Sequence, residues 1–263
     1  MKILDKIVEN MKSEIIRVSR KTPVSLLENK SLFSRQCISL KDSIKNSSTG
    51  IICEFKRRSP SNENINYKST ISEVILGYQK AGAAGLSILT NKKYFDGETK
   101  DIQDIRDVSK IPILRKEFII SEYQIIEAKS IGSDAILLIA SILSREEIIR
   151  YSKFAKSLGL EVLLEIHSAN ELNKIPGNNI DIVGVNNRNL DTLEIDLNNS
   201  IELYDEIPSQ FVKISESGIN MPESIIKLKE VGYDGFLIGE SFMKTNNPME
   251  SAYNFIKKIE NEI

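Results

Sequence analysis

Short, nearly continuous apolar runs punctuate the chain: Ile51–Lys56, Gly85–Thr90, Ile111–Arg115, Ala135–Ile139, Glu161–Glu165, Ile182–Val185, Phe211–Ser215 and Gly235–Ile238. A strand with one wet face would alternate apolar and polar residues. These runs do not alternate, which is the pattern of parallel strands buried on both faces beneath a layer of helices. Successive starts lie about 26 residues apart, the length of one strand, one helix and two loops. Between the runs, Thr70-x-x-Glu73, Ser121-x-x-Gln124, Ser144-x-x-Glu147 and Ser168-x-x-Glu171 read as helix-starting capping boxes. Gly82, Gly132, Gly159 and Gly232 each close a helical stretch, with a lysine two or three positions earlier where the helix dipole favours it. The repeat is one of structure, not of sequence.

Eight sequential strand-helix units predict a closed (β/α)8 TIM barrel of the α/β class. An open dinucleotide-binding sheet would carry a glycine-rich first turn, whereas the first turn here is Arg57-Arg-Ser-Pro-Ser61. Ahead of the first strand, Ile3, Leu4, Ile7, Val8, Met11, Ile15 and Ile16 fall on one helical face. Residues 1–50 are therefore expected to form a helical extension packed on the barrel, within one domain covering 1–263.

Composition narrows the function classes. The 263 residues are 41% hydrophobic and carry 35 Lys+Arg against 37 Asp+Glu, a formal charge of −2. With no basic block longer than Lys56-Arg57-Arg58, neither nucleic acid nor an anionic membrane is an expected partner. Cys37 and Cys53 are too few for a disulfide scaffold and match no zinc spacing, and His167 is the lone histidine, so no metal is expected. Asp5, Glu9 and Glu14 interrupt the opening apolar residues as no secretory leader tolerates, and no apolar run approaches ~18 residues. A cytoplasmic location is the expectation.

The candidate chemistry lies at the strand ends, where a barrel keeps its active site. Glu54 and Lys56 share the parity of Ile52 and so point into the barrel mouth, while Cys53 and Phe55 face the helix layer. Arg115-Lys116-Glu117 ends the third strand, Glu165 the fifth, Asn186-Asn-Arg188 the sixth and Ser215-Glu-Ser-Gly218 the seventh. One charge at a strand end is ordinarily just solvated. Acids and bases from this many strands in one mouth point instead to multi-step proton transfer. After the last two strands, Ser217-Gly218 and Gly239-Glu240-Ser241 offer backbone N–H groups to a phosphate, and a β-branched residue at Gly239 is expected to crowd it. His167 reads as a supporting or exposed residue, and the charges of Ser144 to Lys156 as a solvated helix face.

These residues resemble the indole-3-glycerol phosphate synthase family over nearly the whole chain. The likeness is carried by Ile3–Val8, Glu54-Phe-Lys-Arg-Arg-Ser-Pro-Ser61, Ser87–Thr90, Leu114-Arg-Lys-Glu-Phe118, Leu163–His167, Gly184–Leu190, Ser215–Ile219 and Leu237–Ser241. It departs from the family pattern at Glu117, at Asn62-Glu63 and at Ser168. The resemblance implies a carbon-carbon lyase of tryptophan biosynthesis, converting 1-(2-carboxyphenylamino)-1-deoxyribulose 5-phosphate to indole-3-glycerol phosphate with loss of carbon dioxide and water, without a cofactor. It implies Lys116 as proton donor, Glu54, Lys56 and Glu165 as acid/base groups, and Asn186 and Ser217 as catalytic support. Ser59, Arg188, Glu216, Gly218, Gly239, Glu240 and Ser241 carry over as substrate contacts. A monomer is expected, with association with other enzymes of the pathway left open. Two other readings stand beside it: a barrel resembling phosphoribosylanthranilate isomerase, which ordinarily relies on a Cys and Asp pair, and a catalytically silent phosphate-binding barrel.

Overall fold

The computed structural model describes residues 3–190 and 192–262. Three helices open the chain, α1 (Ile3–Lys21), α2 (Val24–Glu28) and α3 (Leu40–Lys45). Eight strands follow: β1 (Ile51–Phe55), β2 (Gly85–Leu89), β3 (Ile113–Lys116), β4 (Ala135–Ile139), β5 (Glu161–Ile166), β6 (Ile182–Asn186), β7 (Val212–Glu216) and β8 (Gly235–Ile238). Each pairs in parallel with its neighbour in sequence and β8 closes on β1, giving a (β/α)8 barrel. The third strand starts two residues later than its apolar run because Pro112 has no N–H to place in a ladder; its carbonyl accepts from Leu86 N at 2.9 Å instead.

Period-two alternation sorts the strand residues into two shells. Ile52, Leu114, Leu137, Leu163, Ile182, Ile214 and Leu237 fill the interior, whereas Cys53, Phe55, Leu86, Ile88, Val162 and Phe236 pack beneath the helices. The helix boundaries follow local chemistry. Thr70/Glu73 and Ser144/Glu147 form complete capping boxes, and the four terminal glycines all have positive φ, between 75° and 120°. Two expected boxes do not form. Ser121 caps Tyr123 N while Gln124 turns back to Ile120 N and Phe118 O, and Ser168 opens only a short 3-10 helix because Glu171 is drawn to His167 and Ser141.

The N-terminal segment does more than cover the barrel. From α3, Leu40 and Ile44 are fully buried in the interior cluster at the N-terminal ends of the strands. Gly85 and Gly235 leave room for them: a Cβ at either position would lie 2.5 Å from Leu40 Cδ1 or 3.0 Å from Ile44 Cγ2. Burying two such side chains contributes roughly 1.5–3 kcal/mol each. At the opposite end, Leu4 and Ile7 of α1 line the mouth, and Asn10 Nδ2 donates to Tyr94 Oη at 2.7 Å. Ile16 does not belong to the apolar face, being 54% exposed, and the Ile3 side chain lies outside the described residues.

Candidate active site

At the C-terminal ends of the strands a cavity of about 310 Å³ opens, lined by residues from most of the strands and their loops. Its floor is an ionic cluster. Just past the end of β1, Lys56 Nζ stands 3.0 Å from Glu54 Oε1, and Ser87 Oγ of β2 donates to Glu54 Oε2 at 3.0 Å. Lys116 from β3 reaches across the barrel, 3.2 Å from Glu165 Oε2 of β5 and in direct contact with Glu216 Oε2 of β7. Gly184 makes this convergence sterically feasible, because a Cβ there would lie 2.4 Å from Glu216 Oε1.

Three carboxylates and two ammonium groups thus share one buried mouth, and one acid lacks a full counter-charge. Burial pushes Glu54 upward, but Lys56 and Lys116 outweigh it and hold the carboxyl below its ordinary range. The same contest leaves Glu165 well below that range, through Lys116 and His167. Glu216 goes the other way, to about 7: burial and the neighbouring charge of Glu165 outweigh its pairing with Lys116. Its Oε1 is buried with no hydrogen-bond partner. For Lys116, burial is overcome by Glu216, Glu165 and Glu54, so the ammonium stays charged throughout the working pH range.

All the residues nominated from sequence line this cavity, but at different ends. Glu54, Lys56, Lys116, Glu165 and Glu216 form the floor, and Asn186 beside them holds Arg188 N through Oδ1 at 3.0 Å. Arg188 donates to Leu193 O at 3.0 Å. Ser217 and Gly218, both at positive φ, face Gly239, Glu240, Ser241 and Ser59 around one rim. There the Glu240 carboxylate is turned to Asn62 Nδ2 at 3.4 Å, and the Ser241 hydroxyl is committed to Ile219 O and Asn220 Oδ1, so neither side chain points a free donor across that rim.

Two strand-end charges stay out of the ionic floor, although Glu117 lines the cavity. Arg115 turns to the helix layer and pairs with Glu127, and Glu117 is tied to Thr90 Oγ1 at 2.8 Å, Asn91 Nδ2 at 3.0 Å and Phe118 N at 3.0 Å. His167 is neither exposed nor free, standing 3.2 Å from Glu165 Oε1. Two contributors, Lys244 and Phe95, escape sequence reasoning. Lys244 lines the rim one turn beyond Glu240. Phe95 stacks on Phe118 at 6.1 Å and makes the opposite end aromatic. Asn187 donates to Ser215 Oγ, Glu216 O and Ser217 O at 3.0–3.1 Å and so fixes the strained turn after β7. Spacing from Glu240 could have flagged Lys244; nothing in the sequence flags a loop phenylalanine.

A closed barrel whose mouth concentrates carboxylates and ammonium groups from four strands is an acid/base barrel enzyme. Residues 4–255 match the family model for indole-3-glycerol phosphate synthase. The indole-3-glycerol phosphate synthase of Bacteroides thetaiotaomicron is 45% identical over 98% of this chain and 99% of its own, and that of Ruminiclostridium cellulolyticum 38% identical over 93% and 95%. The chain belongs to the indole-3-glycerol phosphate synthase family. Among solved structures, tryptophan synthase subunit alpha from Legionella pneumophila str. Paris superposes with a TM-score of 0.61 over 84% of this chain and 97% of that one at 14% identity, a likeness of fold.

Proposed function

We propose that this barrel closes the pyrrole ring of indole-3-glycerol phosphate from 1-(2-carboxyphenylamino)-1-deoxyribulose 5-phosphate, releasing carbon dioxide and water. The observation that carries the reading is Lys116, an ammonium held at the centre of the cavity by Glu165 and Glu216, with the Glu54–Lys56 pair at the end of β1. Such a substrate has an aryl carboxylate at one end, a ketone in the middle and a phosphate at the other. The cavity offers matching surfaces: Phe95 and Phe118 for the ring, the ionic floor for the ketone, and the Gly218 and Gly239–Ser241 backbone with Lys244 for the phosphate.

Attack of the aryl carbon on the ketone carbon puts negative charge on the carbonyl oxygen, and Lys116 is the donor that meets it. Loss of carbon dioxide restores the aromatic ring. The resulting hydroxyl leaves as water and a last ring proton is removed, which takes one acid and one base from Glu54, Lys56 and Glu165; Asn186 and Ser217 orient the substrate by hydrogen bonds. Arg188, Ser59, Glu216, Glu240 and Ser241 complete the substrate contacts. No electron transfer occurs, so the chemistry calls for no cofactor. We read the chain as one domain acting in the cytosol; no described helix is long and apolar enough to cross a membrane. An isomerase of the Cys and Asp type is disfavoured because Cys53 lies in the helix layer and Cys37 beside Lys129, neither lining the cavity. Incubating the purified protein with the carboxyphenylamino substrate is expected to produce indole fluorescence; unchanged substrate after prolonged incubation would end the proposal.

A further inference from the structure

Behind Glu165 the barrel wall holds a second polar arrangement that the ring closure does not use. His167, Ser141 and Glu171 line an adjoining cavity of about 710 Å³, rimmed by Lys174, Asn199 and Glu202, whereas Glu165 faces only the first. The imidazole bridges the two. Its Nε2 lies 3.2 Å from Glu165 Oε1, and its Nδ1 lies 3.1 Å from Ser141 Oγ and 3.5 Å from Glu171 Oε2. Ser141 gives its own proton to Glu171 Oε1, so toward the ring it can only accept. The backbone fixes the frame: Glu171 Oε2 accepts from His167 N at 2.7 Å, and Asn199 Nδ2 donates to His167 O at 3.2 Å.

Nδ1 therefore faces acceptors, and Nε2, buried without a directed hydrogen bond, faces the Glu165 carboxylate at ion-pair distance. A neutral imidazole has one N–H and one lone pair, so either tautomer would aim a lone pair at a carboxylate or at the committed hydroxyl. Only the doubly protonated ring turns a proton and positive charge toward both carboxylates. Building on Glu165 as an acid/base group, we infer that His167 is a positioning residue whose imidazolium form holds Glu165 ionised and oriented for each turnover. The charged groups facing it agree in sign: Glu165 and Glu171 make contact, with Asp5, Glu194, Asp196 and Glu202 around the second cavity, against Lys174 there and Lys116 beyond Glu165. Burial depresses the imidazole, but Glu165 and Glu171 outweigh it and raise it to about 9. Because the ring opens to the second cavity, it exchanges protons with solvent even while substrate fills the first.

The chain has one histidine, so its imidazole Cε1–H gives a single NMR resonance that can be titrated without interference. The expected result is an apparent pKa near 9, lower in Glu171→Gln, which leaves the catalytic floor intact, and a wild-type kcat that falls about tenfold as pH rises through that same value. His167→Asn keeps a donor of similar shape without the titration; its kcat is expected to be lower and flat across that range. A His167→Asn profile that keeps the wild-type alkaline limb, or an imidazole titrating near its ordinary value in the folded wild type, overturns the inference. If His167→Asn does not fold, Glu171→Gln decides: its alkaline limb must move down with its imidazole pKa. A wild type without any turnover would instead overturn the proposed function, while the NMR titration would still report on the imidazolium.

Discussion

A Cβ at position 239 would lie 2.6 Å from Glu54 Oε1 and 2.9 Å from Glu54 Cβ, so the turn after β8 and the β1 carboxylate occupy adjoining space. The sequence suggests that bulk at Gly239 acts on the phosphate alone. The structure shows that it also meets Glu54, which is fixed by Lys56 and Ser87. Gly239→Ala is therefore predicted to lower kcat as well as raise KM, by at least tenfold in kcat if Glu54 loses its place in proton transfer. Steady-state kinetics with the phosphorylated substrate separate the two; a change in KM alone would show that Glu54 yields without cost.

Gly184 stands in the same relation to Glu216. A methyl group there would press on Glu216 Oε1 at 2.4 Å and on Leu163 Cδ1 at 3.1 Å, both inside the barrel. Gly184→Ala is predicted to destabilise by about 1–3 kcal/mol, the usual cost of overpacking. Adding Glu216→Ala should recover much of that loss, because the two changes share one volume. Thermal unfolding of the single and double variants checks this, and strictly additive losses would refute the shared-volume account.

Lys116 serves stability and catalysis together. Lys116→Met removes the cation common to Glu165 and Glu216 and leaves buried carboxylates facing one another. Breaking such a buried arrangement costs about 3–5 kcal/mol at neutral pH. The deficit should shrink toward pH 5, where the uncompensated acids take up protons. Unfolding temperatures of wild type and variant compared at pH 8 and pH 5 test this; a gap that widens on acidification would contradict it.

The barrel was legible in the sequence because its signal is repeated: eight apolar runs in register with helix caps leave little freedom in topology. The floor of the site was legible because Glu54, Lys116 and Glu165 sit where interior parity forbids charge without a reason. What escaped depends on packing between distant segments. No local pattern says that Leu40 and Ile44 plug the barrel base, or that Phe95 reaches the substrate end of the mouth. Ser168-x-x-Glu171 misled as a capping box because Glu171 finds a stronger partner in His167, a tertiary contact that overrides the local motif.

That contact has a consequence for stability. His167 binds its proton more tightly in the folded chain, near 9, than at its ordinary 6.5. Its contribution is thus fully present below about pH 6.5 and is lost as pH rises through 9. The unfolding temperatures of wild type and His167→Asn should differ most at pH 6 and converge by about pH 10. A gap independent of pH would mean that the ring acts only by its shape.

The central claim is that ring closure depends on the Lys116-centred cluster. The most direct measurement is a single turnover of substrate carrying ¹³C in its aryl carboxylate, with labelled carbon dioxide and indole followed together in wild type and Lys116→Met. The account predicts equal amounts of both from wild type, and from the folded variant a joint loss of rate of ~10²–10⁴-fold, since decarboxylation follows ring closure. Wild-type rates of both products in Lys116→Met, or carbon dioxide released without indole, would contradict it.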